Sequence, residues 1–255
     1  MGIPGDSSTD DHCNIRREMP SRVETWNEMG VIVTPALLHQ ITNLAPRFSE
    51  LARVTLVVLE LRNVFKGETM KLSMGISYSD GFKQAADRVV ELEKAGLDQV
   101  WIAEAYSFDA ISQVGYLAAK TNRIEIGTGI VNVYSRTAAL MAMTAAGCDY
   151  VSDGRFILGL GASGPQVIEG FHGVPYEKPM QRIKEYIEVC RNVWAREAPL
   201  EYHGKTVDIP LPAGQGTGLG KALKIINHPV RKDIPIWWAS LKDRSVEATA
   251  EMADG

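Results

Sequence analysis

The sequence from Met70 to Gly255 predicts an α/β fold in which helices cover a parallel β-sheet. Three observations predict it. Strand-like and helix-like segments alternate five times, the strand-like segments are apolar without a clean in/out alternation, and turn residues separate the segments. Two architectures satisfy these observations, an open doubly wound sheet and a (β/α)8 TIM barrel. Both place chemistry at the C-terminal ends of the strands, so the residues there are the candidates for a site.

The predicted elements follow one another regularly. Apolar residues three and four apart mark the helices, as in the run from Phe82 to Leu92, which Ala95 and Gly96 bring to an end. A long glycine- and proline-rich stretch, PLPAGQGTGLGK, precedes the last strand. The predicted strands span 72–77, 98–104, 123–130, 156–161 and 234–240, and the predicted helices span 82–95, 108–121, 137–151, 180–194 and 244–253.

The composition is that of an ordinary soluble globular protein. Of the 255 residues 45% are hydrophobic, the net charge is −4, and no dense basic stripe points to nucleic acid. The apolar run VTLVVLEL is far shorter than a membrane span, and the N-terminus lacks the signal-peptide pattern. Cys13, Cys148 and Cys190 form no CxxC pair, which predicts a reducing cytoplasm and neither a disulfide frame nor a metal site.

The first 69 residues differ from the rest of the chain because most of them are polar and carry no steady period. We interpret residues 1–69 as an N-terminal extension, of low order or partly helical, and residues 70–255 as the domain. A regulatory or partner-binding segment is the alternative interpretation of residues 1–69.

Polar and small residues gather at the ends of the second and third predicted strands. Glu104 ends the second strand, where a carboxylate either serves a ligand or is a solvated loop acid. Gly127 and Gly129 lie in IGTGIVNVYSRTA, where glycine allows either close approach of a ligand or a bulge. Asn132 carries a donor and an acceptor for a polar ring edge. This segment predicts that a flat ring lies against the backbone.

The fourth predicted strand runs into GLGASGP, which resembles a GxGxxG phosphate loop only weakly. No acidic residue ends a strand about twenty residues later, and Pro165 disfavours a helix that runs through Gly164. His172 follows in the loop as either a structural or a catalytic histidine. The sequence contains no HExxH, no GxSxG and no spaced Cys/His set, so it predicts no metal site.

Four segments point to a family when they are taken together: VWIAEAYSFDA, IGTGIVNVYSRTA, SDGRFILGLGASGPQVIEGFHGVPYEKP, and IPIWWAS followed by EMADG. In order and spacing they resemble the luciferase-like monooxygenase superfamily, in the branch of oxidoreductases that use the deazaflavin coenzyme F420. The resemblance covers Met70 to Gly255. It implies a (β/α)8 TIM barrel with the coenzyme at its C-terminal face.

The resemblance also implies which residues contact the coenzyme. It implies a bulge with a non-prolyl cis peptide bond at Gly129–Ile130 and Ile130 against the coenzyme ring. It places Asn132 at the ring edge or ribityl chain and Glu104 at the family's acidic position. The further contacts that it implies are the loop Ala162, Ser163, Gly164 and Pro165 and, after the fifth strand, Ala239, Ser240 and Leu241.

The activity that the resemblance implies is hydride transfer between F420 and a small organic substrate. The alternatives are an FMN-dependent two-component monooxygenase and a non-catalytic coenzyme-binding fragment. Some relatives carry a histidine at the position of Ala105 and a glutamate at that of Gly164, so the acid/base pair of the sugar-phosphate-oxidising relatives is absent. Glu104, Tyr106 and His172 remain as catalytic candidates. Relatives are often homodimers, so the resemblance implies a homodimer. The charge and hydropathy of the sequence predict no nucleic-acid or membrane partner.

The number of strands departs from the family pattern. Five strands are predicted, and the sequence stops at Gly255, where relatives begin a sixth strand. Because a (β/α)8 barrel needs eight strands and typically about 250 residues, we expect a fragment, a barrel truncated after its fifth β/α unit.

Overall fold

The computed structural model describes residues 71–77 and 81–255, so the predicted extension 1–69 lies outside the described residues. The strands are β1 (Ser73–Ile76), β2 (Gln99–Ile102), β3 (Glu125–Thr128), β4 (Val131–Asn132), β5 (Phe156–Gly161), β6 (Tyr202–His203), β7 (Asp208–Ile209) and β8 (Ile236–Trp238). The helices are α1 (Phe82–Ala95), α2 (Ala110–Lys120), α3 (Ala138–Val151), α4 (Pro165–Gly170), α5 (Pro179–Ala195) and α6 (Asp243–Met252).

The order of the strands decides between the two predicted architectures. β1, β2, β3, β5 and β8 lie side by side in parallel, and each lies beside the one that precedes it among these five strands. A doubly wound sheet reverses the direction in which strands are added, whereas a (β/α)8 barrel adds every strand on the same side. The described residues therefore form five successive β/α units of the barrel arrangement, and the predicted fold class is confirmed.

Local sequence explains where the helices begin and end. The Asp109 side chain accepts a hydrogen bond from the backbone N–H of Ser112 (2.9 Å) at the start of α2. Thr137 does the same for Leu140 (3.2 Å) at the start of α3. α1 ends at Gly96, whose φ of 104° lies in the left-handed region that favours glycine. These boundaries lie close to the predicted ones because capping signals are local.

The core lies between the helices and the outer face of the sheet. Alternate residues of the parallel strands point outward and are buried there, and Ile126, Leu158 and Ile236 are fully buried. The indole N–H of Trp194 in α5 donates to the carbonyl of Ala142 in α3 (2.9 Å). This bond ties the two helices together inside an otherwise apolar layer.

A dense polar network closes the N-terminal ends of the strands. The Arg155 guanidinium donates five hydrogen bonds to four backbone carbonyls and one hydroxyl, all before β3 or β5. The Glu93 carboxylate accepts from the backbone N–H groups of residues 122–124. Burial acts to raise the pKa of Glu93, but these hydrogen bonds and the charge of Arg155 outweigh it and lower the pKa.

The sequence pattern does not predict α4, the β6–β7 hairpin or the division of the third strand into β3 and β4. α4 has six residues and the hairpin strands have two each, which is too short to show a period. The hairpin is fixed by Glu185, whose buried carboxylate accepts hydrogen bonds from the backbone N–H groups of residues 205–207. Tertiary contacts rather than local propensity define these elements.

Residues 254–255 lie along β8. Asp254 donates its backbone N–H to the carbonyl of Ile236 (2.8 Å), and the carbonyl of Gly255 accepts from the N–H of Trp238 (2.9 Å). The resemblance places the start of a sixth strand at this point of the chain.

Candidate functional site

A β-bulge separates β3 from β4 at the C-terminal end of the sheet. Gly127 pairs with Ile157 and Val131 pairs with Leu160, so four steps along β3 and β4 oppose three steps along β5. One extra residue is therefore inserted, which is the definition of a bulge. The bulge expected in this segment is confirmed.

The peptide bond between Gly129 and Ile130 is trans, so the predicted non-prolyl cis bond is wrong. The cis bond in the described residues is Ile209–Pro210. A trans bond is favoured by about 3–4 kcal/mol at a non-prolyl position. With this trans bond, the N–H of Gly129 donates a hydrogen bond to the carbonyl of Ile102 on β2 (2.6 Å).

Thr128 holds the bulge together through its side chain. Its hydroxyl donates to the carbonyl of Gly159 (2.8 Å) and accepts from the N–H of Gly159 (2.9 Å), and the residue is fully buried. A Cβ on Gly159 would overlap the Thr128 carbonyl oxygen. The hydroxyl replaces the backbone hydrogen bonds between β3 and β5 that are lost where the bulge shifts the register. Gly159 thus serves strand packing.

Two tryptophans fill the inner face of the sheet below the bulge. The ring centres of Trp101 on β2 and Trp237 on β8 lie 4.5 Å apart. A Cβ on Gly127 would overlap the Trp101 ring. The flat ring that lies against Gly127 is therefore the protein's own indole, so of the two roles that the sequence left open for this glycine, close approach of a ligand is not the one observed. We call Trp101 and Trp237 the indole floor.

The inner residues one step beyond the indole floor have little or no side chain. They are Ala103, Gly129, Gly161 and Ala239, from four neighbouring strand ends, and we call them the rim. Gly129 is exposed, and a Cβ on it would meet its nearest atoms at 3.7 Å, an ordinary van der Waals distance, so a Cβ would fit there. The Ile130 side chain covers Gly161, with Cδ1 2.6 Å from the position that a Cβ would take. The inner side of these strand ends is therefore lined mainly by backbone and by the Ile130 side chain.

Glu104 forms an ion pair beside the rim. Its carboxylate oxygens accept from Nη1 and Nη2 of Arg136 (2.6 and 2.9 Å), and the two side chains are 8% and 13% exposed. One oxygen also accepts the N–H of Ala110 at the start of α2 (2.9 Å). The hydrogen bond to Glu104 raises the pKa of Arg136. Because both oxygens are engaged, the geometry favours a positioning role, and the catalytic role of Glu104 stays a prediction.

Asn132 turns the chain after β4. Its Oδ1 accepts hydrogen bonds from the backbone N–H groups of Tyr134 (3.0 Å) and Ser135 (2.8 Å), and the residue is buried. This is an Asx-type turn. The side-chain oxygen is thereby engaged, so the expected contact with a ring edge falls to the amide Nδ2 and stays a prediction.

The loop that leaves β5 lies next to the rim. Ala162 leads into Ser163, which has a left-handed φ of 57° and whose carbonyl accepts from the Tyr176 hydroxyl (3.2 Å). Gly164 precedes Pro165, the first residue of α4. The helix begins at the proline and does not run through Gly164, which agrees with the expectation that Pro165 disfavours such a helix.

The three residues after β8 have different surroundings. Ala239 donates its N–H to the carbonyl of Leu160 (3.1 Å) and borders the rim. The Ser240 hydroxyl contacts that of Thr249 on α6 (2.5 Å), and Leu241 is almost fully exposed. Of the three, Ala239 has the geometry of a ring contact, and the expected coenzyme contacts of all three stay predictions.

Tyr106 and His172 are brought together by a residue that the sequence does not single out, Phe171. The ring centres of Tyr106 and Phe171 lie 6.3 Å apart, and Phe171 meets His172 edge-on at 5.4 Å. Tyr106 and Phe171 are 69% and 66% exposed. The His172 Nε2 atom is buried and has no hydrogen-bond partner among the described residues. We call Tyr106, Phe171 and His172 the aromatic cluster.

Arg182 is a second residue that sequence reasoning missed. Its guanidinium lies 4.8 Å from the centre of the Tyr134 ring, which stacks on Tyr176 at 5.3 Å. Tyr176 in turn holds the loop at Ser163. The Arg182 Nε atom is buried without a hydrogen-bond partner in the described part of the chain. A cation with an unfilled donor beside this loop is suited to an anionic group.

Metal and thiol chemistry find no support in the part of the chain that the structure describes. No group of three or more His, Cys, Asp or Glu side chains in residues 71–77 and 81–255 is placed to hold a metal ion. Cys148 and Cys190 are free and buried. Burial raises the pKa of the Cys148 thiol to about 12, and it also raises the pKa of the Cys190 thiol. Within the same residues, no helix combines the length and apolar character that a membrane crossing requires.

Residues 66–255 match the family model described as luciferase-like monooxygenase. The chain belongs to the luciferase-like monooxygenase family. The resemblance drawn from the four sequence segments is confirmed.

Two curated relatives of this luciferase-like chain span most of the domain. A protein of Mycobacterium tuberculosis, whose name assigns it to the coenzyme F420-dependent oxidoreductases, is 42% identical over 188 residues, or 73% of this chain and 54% of its own length. The 5,10-methylenetetrahydromethanopterin reductase of Methanolobus tindarius is 31% identical over 187 residues, which are 72% of this chain and 53% of the reductase. The chain thus spans about half the length of the curated relatives it matches.

Two solved structures share the luciferase-like fold of this chain. The coenzyme F420-dependent tetrahydromethanopterin reductase from Methanopyrus kandleri superposes with a TM-score of 0.60 at 24% identity, over 74% of this chain and 55% of its own. The second structure is the FMN complex of the oxygenating constituent of 3,6-diketocamphane monooxygenase from Pseudomonas putida. It superposes with a TM-score of 0.58 at 18% identity, over 72% of this chain and 56% of its own. Both therefore support the fold alone.

Proposed function

We propose that this chain binds coenzyme F420 at the rim and serves hydride transfer between the deazaflavin ring and a small organic substrate. The shape of the rim carries the proposal, because neighbouring strands end in glycine or alanine above the indole floor and leave room for a planar ring. The relative from M. tuberculosis carries coenzyme F420 in its name, which supports this coenzyme.

The residues present fit such a coenzyme at two places. Gly129 and Ile130 would lie along one face of the ring, since nothing occupies the space that a Cβ on Gly129 would take. Arg182 would pair with the anionic tail, which would give its buried Nε a partner. The other contacts proposed are Asn132 through Nδ2, the loop Ala162, Ser163, Gly164 and Pro165, and the segment Ala239, Ser240 and Leu241.

The chemistry divides between the coenzyme and the protein. When bound, the deazaflavin donates or accepts a hydride at its ring carbon. The ion pair of Glu104 and Arg136 would hold the connections after β2 and β4 in place around the ring. Deazaflavin lacks the ring nitrogen through which flavins react with oxygen, so a reductase or dehydrogenase fits this coenzyme better than a monooxygenase.

Paired titrations test the choice of coenzyme. The chain is titrated with F420 and with FMN under identical conditions, and the dissociation constants are obtained from the coenzyme fluorescence. We expect F420 to bind at least about tenfold more tightly, a difference of about 1.4 kcal/mol. Tighter binding of FMN would favour the alternative monooxygenase, and F420 binding without turnover of alcohols, aldehydes or enones would favour a non-catalytic binding protein.

A pair of glycine variants tests where the ring lies. Gly129→Leu should fill the rim and weaken F420 binding at least about tenfold, while the thermal midpoint of unfolding stays close to that of the parent chain. Gly147→Leu is the matched control, because Gly147 lies exposed on α3 with open space around its Cβ position. Unchanged F420 affinity in Gly129→Leu would place the ring elsewhere.

The proposal extends to compartment and assembly. Cys148 and Cys190 are free and buried, which is consistent with a reducing cytoplasm. The assembly proposed is the homodimer implied by the family resemblance. Size-exclusion chromatography with light scattering measures it directly, and a monomer across the micromolar range would contradict it.

A further inference from the structure

The outer face of α3 exposes apolar side chains and no charged one. Asp149, the one charged residue of α3, is fully buried and paired with Arg231. A helix on the outside of an α/β domain normally turns a polar face to water. The large apolar side chains that α3 exposes instead are 45% to 70% exposed, and they are Leu140, Met143, Tyr150 and Val151. Such a face is typical of a surface that another segment covers.

Other helices of the domain show the usual pattern. α1 exposes Lys83, Asp87 and Glu91, and α5 exposes Glu188 and Arg191. On α3 the exposed residues follow one another in steps of three, four and three, which places them in one line along the helix. They are Leu140, Met143, Gly147 and Tyr150, and we call them the α3 stripe.

A second apolar stripe occurs in the sequence of the N-terminal extension. The segment 51–65 reads LARVTLVVLELRNVF, in which apolar residues recur in steps of three, four, three and four. They are Leu51, Val54, Val58, Leu61 and Phe65, and we call them the extension stripe. This is the spacing with which one helix packs along another, and the α3 stripe has the same spacing. The segment precedes residues 66–255, which match the family model.

The chain enters the described domain at the correct end to bring the two stripes together. The Lys71 ammonium donates to the carboxylate of Glu125, the first residue of β3 (2.7 Å), so Lys71 lies at the N-terminal ends of the strands. α3 runs antiparallel to the strands and therefore ends at the same side of the sheet. The six steps from Phe65 to Lys71 span up to about 20 Å, which is enough to cross a helix about 10 Å wide.

We propose that residues 51–65 pack as a helix along the outer face of α3, with the extension stripe against the α3 stripe. Because the segment reaches Lys71 at the end where α3 also ends, the two helices run parallel. A linker this short gives the segment an effective concentration of about millimolar, so it outcompetes a second copy at micromolar concentration. The inference is independent of the proposed function, since no residue of the rim takes part.

Cysteine labelling tests whether the face is covered. Met143→Cys and the control Asn192→Cys, at an exposed position of α5, are made separately in the whole chain carrying Cys13→Ser. Cys148 and Cys190 are buried and therefore react slowly. Each labelling rate with maleimide–polyethylene glycol is divided by the rate in concentrated urea. Met143→Cys should react at least about tenfold more slowly than Asn192→Cys, because the segment must first detach. Equal rates overturn the proposal.

Two substitutions in the extension identify the segment and its helical form. Val58→Glu puts a charge into the extension stripe and should raise the labelling rate of Met143→Cys to within about twofold of the control. Leu56→Glu is the matched control, because residues two apart lie on opposite sides of a helix. It should leave the slow labelling unchanged. Equal labelling rates in the two variants overturn the proposal.

Dilution distinguishes the same chain from a second copy. Coverage by a tethered segment does not depend on protein concentration, so the labelling rate of Met143→Cys should stay constant over about a hundredfold dilution. Faster labelling on dilution would show that a second copy covers α3 and would overturn the proposal. F420 titration of the same variants reports on the rim alone, so failure of the proposed function and failure of this inference are separate results.

Discussion

The two ends of the same strands differ in how their polar groups are satisfied. At the N-terminal ends, Arg155 makes five hydrogen bonds and Glu93 accepts three. At the C-terminal ends, the Nε2 of His172 and the Nε of Arg182 are buried without partners in the described chain. The N-terminal end is built for stability, and the C-terminal end retains unfilled groups that a ligand can use. Substitutions at the two ends should therefore have opposite consequences.

The largest expected effect comes from Arg155→Ala. It should lower the free energy of unfolding by about 3–5 kcal/mol, because several carbonyls before β3 and β5 lose their donor. The F420 affinity of the folded fraction should change less than about twofold, since Arg155 lies at the end of the sheet opposite to the rim. Urea unfolding and F420 titration measure the two quantities.

Arg155→Lys keeps the experiment interpretable if the alanine variant does not fold. A lysine keeps the charge and supplies fewer donors in a less rigid geometry, so an intermediate loss of stability is expected. A loss below about 0.5 kcal/mol in Arg155→Ala would refute the view that this end carries stability.

Thr128→Val tests the bulge, which lies between the two ends. The change keeps the shape of the side chain but removes both hydrogen bonds to Gly159, and it should cost about 2 kcal/mol in free energy of unfolding. It should also weaken F420 binding, because the bulge sets the position of Gly129. Thr217→Val, at an exposed threonine in a loop, is the control and should change stability by less than about 0.5 kcal/mol. Equal stability of the two variants would contradict the role assigned to Thr128.

Arg182→Ala should show the reverse pattern of Arg155→Ala. F420 affinity should fall about tenfold, or about 1.4 kcal/mol, and the effect should shrink at high salt because it is electrostatic. Stability should fall by only about 1 kcal/mol, since the variant loses the contact of the guanidinium with the Tyr134 ring but no hydrogen bond of the Nε atom. Arg191→Ala, an exposed arginine on the same helix, is the matched control. An Arg182→Ala chain with normal F420 affinity but much lower stability would show that Arg182 is structural.

The smallest expected effect is the pH dependence contributed by Glu93. Its pKa is lower in the folded chain, so its contribution to stability is complete above its unfolded pKa of about 4.3 and is lost as the pH falls through the folded value. The free energy of unfolding should fall between pH 7 and pH 3.5 in the parent chain. In Glu93→Gln this fall should be smaller by about 1 kcal/mol. Glu91→Gln, on the exposed side of the same helix, should leave the pH dependence unchanged.

The strand–helix order was predictable because its signals are local. Apolar spacing and caps such as Asp109 and Gly96 act within a few residues, so most element boundaries were close to those observed. The neighbours that a residue has in the sheet were harder to predict than the element boundaries. That the ring over Gly127 is the indole of Trp101 follows only from the register of β2 against β3.

The partners of the site residues were harder to predict than the residues themselves. Glu104 was a candidate from its place at a strand end, but its partner Arg136 comes from the connection after β4. A signal existed, because a basic residue directly after the bulge segment can reach an acid on the neighbouring strand. Phe171 and Arg182 gave no such signal, since a loop aromatic and a helix arginine are ordinary residues until tertiary contacts are known.

The sequential strand order also has a consequence for assembly of the sheet. Ser73 pairs with Gln99 and Gln99 with Glu125, whereas the contact of Leu158 with Ile236 closes a much longer stretch of chain. Closing the longer loop costs about 1 kcal/mol more in chain entropy. Trp237 of the indole floor lies on β8, so it takes its place only when β8 pairs with β5. The early strands can therefore form as a unit during synthesis, while the floor of the site is completed late.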